Sequence, residues 1–171
     1  MRIRDATPSD AAAIAVIYND AVENTTAIWN DAVVDEADRA AWIRARQETG
    51  YPVLVAVGDG DEVVAYATFG DFRAFDGYRH TVEHSVYVRS DQRGNGLGER
   101  LMVELISRAR DLGKHVMIAA IEASNTQSIR LHERLGFVHG GTLTQVGRKF
   151  DRWLDLAFMQ FTLDEPVAGR T

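Results

Sequence analysis

In the stretch "DQRGNGLGERL", which begins at Asp91, three glycines occupy five positions just before apolar residues start to recur at helical spacing. No other feature constrains this chain as much. Glycine beside or within a helix costs about 0.5–1 kcal/mol relative to alanine. Bare backbone has a use there if a strand ends, the chain turns sharply and a helix begins, since the first N–H groups of a helix lack internal partners. Those donors and the positive end of the helix dipole converge on one spot, and glycines let a bulky phosphate approach the main chain. The two common nucleotide motifs fit poorly: the loop has no Gly-Lys-Ser/Thr end, and "GNGLGE" lacks the dinucleotide spacing.

The rest of the chain limits what such a loop serves. None of the 171 residues is cysteine, which excludes a disulfide framework, a thiolate metal site and a cysteine nucleophile. The net charge of −6 lacks the footprint of a nucleic-acid binder. The local cluster Arg148-Lys149 with Arg152 reads as a solvated loop, with a site for an anionic small molecule as the alternative. The longest apolar run, Ala11 to Tyr18, is far short of the roughly 20 residues that cross a bilayer. "MRIRDATPSD" has no apolar signal core, so a soluble cytoplasmic protein without nucleic-acid or membrane partners is expected. With no repeat or linker visible, one domain over 1–165 is expected, followed by a loose tail at 166–171.

Periodicity outlines the elements. "MRIRDA" reads as a strand. Thr7-Pro8-Ser9-Asp10 then opens a helix to about Val22 that buries Ile14, Ile17, Tyr18 and Ala21. A second helix spans roughly Asp35 to Thr49 and stops at Gly50. "VLVAV" and "EVVAYATF" flank "GDGD" as a hairpin, and Thr81–Val88 is a fourth strand after an irregular loop. The helix opened by the glycines carries Leu97, Leu101, Leu105 and Leu112 on one face. "HVMIAAI" is a strand buried on both faces, a short helix covers Ser128–Leu135, and "WLDLAFMQFTL" is strand again. The order βααβββαβαβ(β) predicts an α/β fold, a mixed sheet with helices on both sides.

Arg93-Gly94-Asn95-Gly96-Leu97-Gly98 fits R/Q-x-x-G-x-G/A and resembles the pyrophosphate-binding loop of the GNAT superfamily of acyl-CoA-dependent N-acetyltransferases. "SNTQSIRLHERLGF" is similar to that family's second signature, a helix closed by Leu-Gly-Phe. The resemblance implies a mostly antiparallel sheet splayed between strands four and five. It also implies acetyl-CoA as co-substrate, no metal, and a pantetheine arm along the backbone of Ser85, Val86, Tyr87 and Val88. "YNDAVENTTAIWN", "GYPVLVA", "TVEHSVYV" and "GRKFDRWLDLAFMQ" resemble the phosphinothricin and methionine-sulfoximine N-acetyltransferases. Enzymes of that branch acetylate the α-amino group of small amino acid analogues, and the likeness implies a homodimer using the C-terminal strands.

Acyl transfer to an amine needs a neutral amine, a proton acceptor and a stabilised leaving thiolate. Without cysteine, direct attack in a ternary complex is expected. Period-two alternation puts Glu83, Ser85 and Tyr87 on one face of the fourth strand and Val82, His84, Val86 and Val88 on the other. Glu83, a carboxylate in an apolar strand, is the expected base, with pairing to an arginine as the alternative. His132 stands where much of the superfamily has tyrosine, and acts as acid, second base or packing. Asn125 either bonds the pantetheine arm or starts a helix. His80 and His84, about 13 Å apart along a strand, are too far apart to share a metal.

The long loop in "GDFRAFDGYRHTVEH" supplies acceptor candidates. Arg73 suits a substrate carboxylate. Phe72, Phe75 and Tyr78 wall the pocket unless they are ordinary core. Val82, Glu83 and His84 line it, and Trp29 closes it. Two other functions remain open on sequence alone, a protein or peptide N-acetyltransferase and a silent acyl-CoA-binding module.

Overall fold

A computed structural model describes residues 1–163; the expected domain end at 165 and the tail at 166–171 lie outside the described residues. Seven strands form one sheet in the order β1-β2-β3-β4-β5-β7-β6. They are β1 (Arg2–Asp5), β2 (Val53–Val57), β3 (Val63–Asp71), β4 (Thr81–Val88), β5 (Val116–Glu122), β6 (Val138–Lys149) and β7 (Arg152–Thr162). Helices α1 (Ala11–Asn24), α2 (Glu36–Glu48), α3 (Leu97–Asp111) and α4 (Thr126–Leu135) complete the fold. Every strand contact is antiparallel except β4–β5.

Strand alternation builds two cores, one on each face. Leu54, Ala56, Ala67, Phe69 and Val82 face α3, whose Leu97, Leu101, Met102 and Leu105 are almost fully buried against them. Val53, Val55, Val57 and Tyr66 face the other way and meet Ile14, Ile17 and Ile43 of α1 and α2. Burying a leucine or valine side chain in this way contributes about 1.5–3 kcal/mol. Leu112 departs from expectation: it is the C-cap of α3, past the last helical turn, and 46% exposed. Tyr18 also departs from expectation: it is only half-buried, with Arg39 of α2 over its ring, 4.7 Å from the centroid.

Local chemistry sets the element ends. Asp35 accepts a hydrogen bond from the Asp38 N–H at 2.8 Å and starts α2. Thr7–Asp10 forms a one-turn 3₁₀ entry to α1, in which the Thr7 N–H donates to the Asp10 carboxylate at 2.8 Å and Arg4 clamps that carboxylate at 2.7 and 2.9 Å. Helix α4 begins two residues earlier than expected because Asn125 caps it, accepting from the Ser128 N–H.

Candidate active site

The sheet opens at its centre. Strand β4 pairs with β5 only from Thr81 to Glu83, against Val116 to Ile118. Beyond Glu83 the two strands diverge, although β4 runs on to Val88 and β5 to Glu122. Strand β3 holds the far side of β4 from Val82 to Val88, so the backbone of His84–Val88 borders the gap on its other side. Ser85, Val86, Tyr87 and Val88 are all half-buried there. A single-sided strand edge of this kind offers main-chain donors and acceptors to an extended amide-bearing ligand.

The glycine loop stands at the mouth of the gap. Gly94 (φ +82°) and Gly96 (φ +74°) both adopt left-handed backbone, which side-chain-bearing residues rarely tolerate. Gly96 is the N-cap of α3 and supplies no side chain to its first N–H groups. A Cβ on Gly98 would stand 3.4 Å from Leu131, so this glycine lets α3 and α4 approach closely. Arg93 donates from Nε to the Val88 carbonyl at 3.2 Å and lies 3.6 Å from Asp20, which ties the loop to β4 and α1. Asn95 bonds back to the Gln92 carbonyl at 3.3 Å. Main-chain N–H groups at a helix start of this shape can face an anion.

Glu83 sits where the strands part, on the face covered by α1 and α2. It is half-buried, and burial raises its pKa above the ordinary carboxylate value while the nearby Arg73 charge opposes the rise. No ion pair or hydrogen bond engages its carboxylate among the described residues. On the same face Tyr87 packs against Tyr66 with ring centroids 5.3 Å apart, and burial raises the pKa of both phenols.

Val82 and His84 lie on the opposite face. Val82 is fully buried under α3, so it belongs to the core rather than to an acceptor pocket. His84 meets His132 of α4: their Nε2 atoms are 2.9 Å apart and the rings nearly coplanar, at 13°. His132 Nδ1 lies 2.7 Å from the Ser128 carbonyl, which only accepts, so that nitrogen carries the proton. Its Nε2 then accepts from His84 Nε2–H, and the bare Nδ1 of His84 is left buried and unpartnered. Burial depresses both imidazoles, His84 to about 3. His132 is 1% exposed with both ring nitrogens engaged. A directly accessible acid is not what this geometry presents.

The loop after β3 is exposed. Arg73 stacks on Phe72 at 5.1 Å, and Phe72 meets Tyr78 and Phe158 edge-on at 5.8 and 6.4 Å. Phe75 is 75% exposed and contributes no core. The Trp29 indole lies over Gly147 of β6, in space that a side chain there would fill, and donates to the Thr26 carbonyl at 2.8 Å. Buried Glu122 supports the same loop by accepting from Ser124 Oγ at 2.5 Å and from Thr26 Oγ1 at 3.4 Å. Lys149 is no part of a solvated loop. It is 4% exposed and donates to the carbonyls of Val22, Thr25 and Ile28 at 2.5, 2.8 and 2.5 Å.

Residues 14–137 match the profile of a family described as the acetyltransferase (GNAT) family. This chain belongs to the GNAT family. The matched region takes in the splayed strands β4 and β5, the glycine loop and the helix closed by Leu135-Gly136-Phe137. Among its relatives, the L-methionine sulfoximine/L-methionine sulfone acetyltransferase of Pseudomonas aeruginosa is 60% identical, over 95% of this chain and 94% of the relative. The L-amino acid N-acyltransferase MnaT of Escherichia coli is 59% identical, over 96% and 95%. Phosphinothricin N-acetyltransferase of Alcaligenes faecalis is 36% identical, over 95% and 82%. Two solved structures superpose at a TM-score of 0.93. One is yncA, an acetyltransferase of Salmonella typhimurium with its cofactor acetyl-CoA (57% identical, 98% of this chain and 96% of that one). The other is the ribosomal-protein-alanine N-acetyltransferase of Brucella melitensis (54% identical, 95% and 99%).

Two features of this GNAT site were not read from sequence. Glu122 ends a strand that looks uniformly apolar, and Arg46 of α2 lies on a helix whose pattern marks only Ile43 as buried.

Proposed function

We propose that this GNAT acetyltransferase moves the acetyl group of acetyl-CoA to the α-amino group of a small, carboxylate-bearing amino acid analogue of the methionine sulfoximine, methionine sulfone or phosphinothricin type. The observation that carries the reading is Glu83: a half-buried carboxylate of raised pKa, without an ion-pair partner among the described residues, at the point where β4 and β5 part. Residues Arg93 to Gly98 fit the diphosphate by their exposed loop and two left-handed glycines, and the His84–Val88 edge fits the pantetheine amides. Asn125, the cap of α4, follows β5 in the chain and is assigned to the pantetheine arm from the family resemblance.

Glu83 accepts a proton from the incoming ammonium, and the neutral nitrogen then attacks the thioester carbonyl. A C–N bond forms, the C–S bond breaks, and the thiolate leaves with the electron pair. As the amide forms, the nitrogen's second proton passes to the departing thiolate, directly or through solvent, and coenzyme A leaves as the thiol. Arg73 holds the acceptor's carboxylate and Phe72 its side chain, with Phe75, Tyr78 and Trp29 as outer walls. His132, locked to His84, positions α4 against the gap rather than shuttling protons. The assignment extends to detoxification of such analogues in the cytoplasm by a homodimer joined through the C-terminal strands, supported by the apolar side chains exposed on β6 and β7.

Glu83→Gln tests the base. It is expected to lower kcat by about 10²–10⁴-fold, the usual contribution of a general base, with acetyl-CoA affinity unchanged by calorimetry. Equal losses in turnover and cofactor affinity would remove Glu83 from that role. The Brucella melitensis likeness favours a second reading, acetylation of a protein N-terminal residue. Turnover of alanine-initiated peptides without turnover of free amino acid analogues would establish it instead.

A further inference from the structure

Strand β3 carries a glycine in its interior, Gly70, directly opposite Glu83 in the β3–β4 register. Glycine inside a strand weakens it, and it usually marks a place where something must come close to the backbone. Here that something is Arg46 of α2. A Cβ added at Gly70 would land on Arg46 Nη1. Residues directly opposite across an antiparallel pair share a face and have Cβ positions about 4.5–5.5 Å apart. The Arg46 guanidinium therefore lies beside Glu83, on the face where an acceptor amine must arrive.

Its surroundings leave it with charge to spare. Arg46 is half-buried, and no ion pair or side-chain hydrogen bond engages its guanidinium among the described residues. The nearby Asp71 carboxylate is already taken by the Tyr51 hydroxyl, which also receives Lys114 Nζ at 3.1 Å. The Trp42 ring also lies 5.8 Å from the guanidinium carbon. The Asp71 charge offsets part of the desolvation that lowers the Arg46 pKa, and among the described residues the guanidinium N–H groups stay open to an incoming carboxylate.

We infer that Arg46, lying in the space vacated by Gly70, binds the α-carboxylate of the acceptor and so selects free amino acids over peptide N-termini. This rests on the acceptor class proposed above. In an α-amino acid the carboxylate and the amine sit on the same carbon. A carboxylate forked onto Arg46 thus brings the amine to Glu83, one strand away. Arg73 approaches the same carboxylate from the loop side, where it is exposed and screened by solvent, so Arg46 carries most of the preference. The first residue of a peptide keeps the α-amine but has an amide in place of the carboxylate, which cannot form the bidentate pair.

The test compares methionine sulfone with its primary amide, using thiol release as the readout. The wild-type enzyme is expected to favour the free acid by about 10–100-fold in kcat/KM, the span of one charge-assisted bidentate contact. Arg46→Gln is expected to remove that preference through a higher KM for the acid, leaving kcat/KM for the amide and acetyl-CoA affinity unchanged. Gly70→Ala keeps the arginine but displaces its flexible end, so it should erode the same preference while the protein stays folded by circular dichroism. A preference retained in both variants, or an equal loss on acid and amide, overturns the inference. Failure of the wild-type enzyme to turn over either compound would instead remove the acceptor class on which it rests.

Discussion

At the scale of single residues, the His84–His132 pair carries a cost that grows with acidity. An unfolded histidine takes up a proton near pH 6.5, whereas the folded pair stays neutral, His84 down to about 3. The unfolded state therefore binds more protons below pH 6.5, and stability falls as pH drops through that window. Each imidazole held neutral contributes a slope of about 1.4 kcal/mol per pH unit. Asp10, whose pKa is lowered by Arg4, loses its contribution only in more acidic solution, while Glu83, whose pKa is raised by burial, pulls the other way as it protonates, so the histidine share from pH 6.5 to 4.5 is read by comparison with the His84→Leu variant. Urea unfolding across that range should show the decline. His84→Leu should flatten the slope while costing about 1–3 kcal/mol at neutral pH, because His132 Nε2 loses its donor. An unchanged slope in the variant would exclude the pair as its source.

At the scale of elements, one lysine holds the connection between α1 and α2. The last turn of α1 and the segment after it expose carbonyls with no helical partner, and Lys149 of β6 gathers three of them: Val22, Thr25 and Ile28. Lys149→Met fills the volume but leaves those carbonyls buried without a donor. It should destabilise the protein by about 3 kcal/mol, which for a domain of this size is roughly 6–12 °C in Tm, measurable by calorimetry. A loss under 1 kcal/mol would mean that water replaces the ammonium. Nothing in "GRKFDRW" distinguishes Lys149 from its solvated neighbours; its burial follows from contacts more than 120 positions away. The same limit hid the histidine partnership, which joins β4 to α4, and the place of Arg46 over Gly70. What was legible was local. Alternation correctly separated Glu83 from His84, caps and glycines marked the helices, and the loop at Arg93–Gly98 announced itself. Strand β6 was not legible, because its bulges near Gly141 and between Leu143 and Gly147 break the period-two pattern.

At the scale of the molecule, the sheet has unequal edges. Strand β1 is four residues long, carries Arg2 and Arg4, and ends at Asp5, a short charged edge that resists further pairing. The other edge is β6, twelve residues without a proline or an acid. Val138, Leu143 and Val146 on β6, with Phe150 and Trp153 at its hairpin, are each 49–61% exposed. A long apolar edge beside so much exposed hydrocarbon associates with something unless it is covered. A second copy of this chain is the simplest cover, since a two-fold axis lets one patch complement itself. Light scattering at micromolar concentration should give twice the mass of the chain. Val146→Lys combined with Leu143→Lys should give the monomer mass with an unchanged circular dichroism spectrum. Trp29 leans on Gly147, the neighbour of Val146, so the monomer should also show altered Trp29 fluorescence. A monomeric wild-type protein, or a double variant that remains dimeric, would move the interface away from β6.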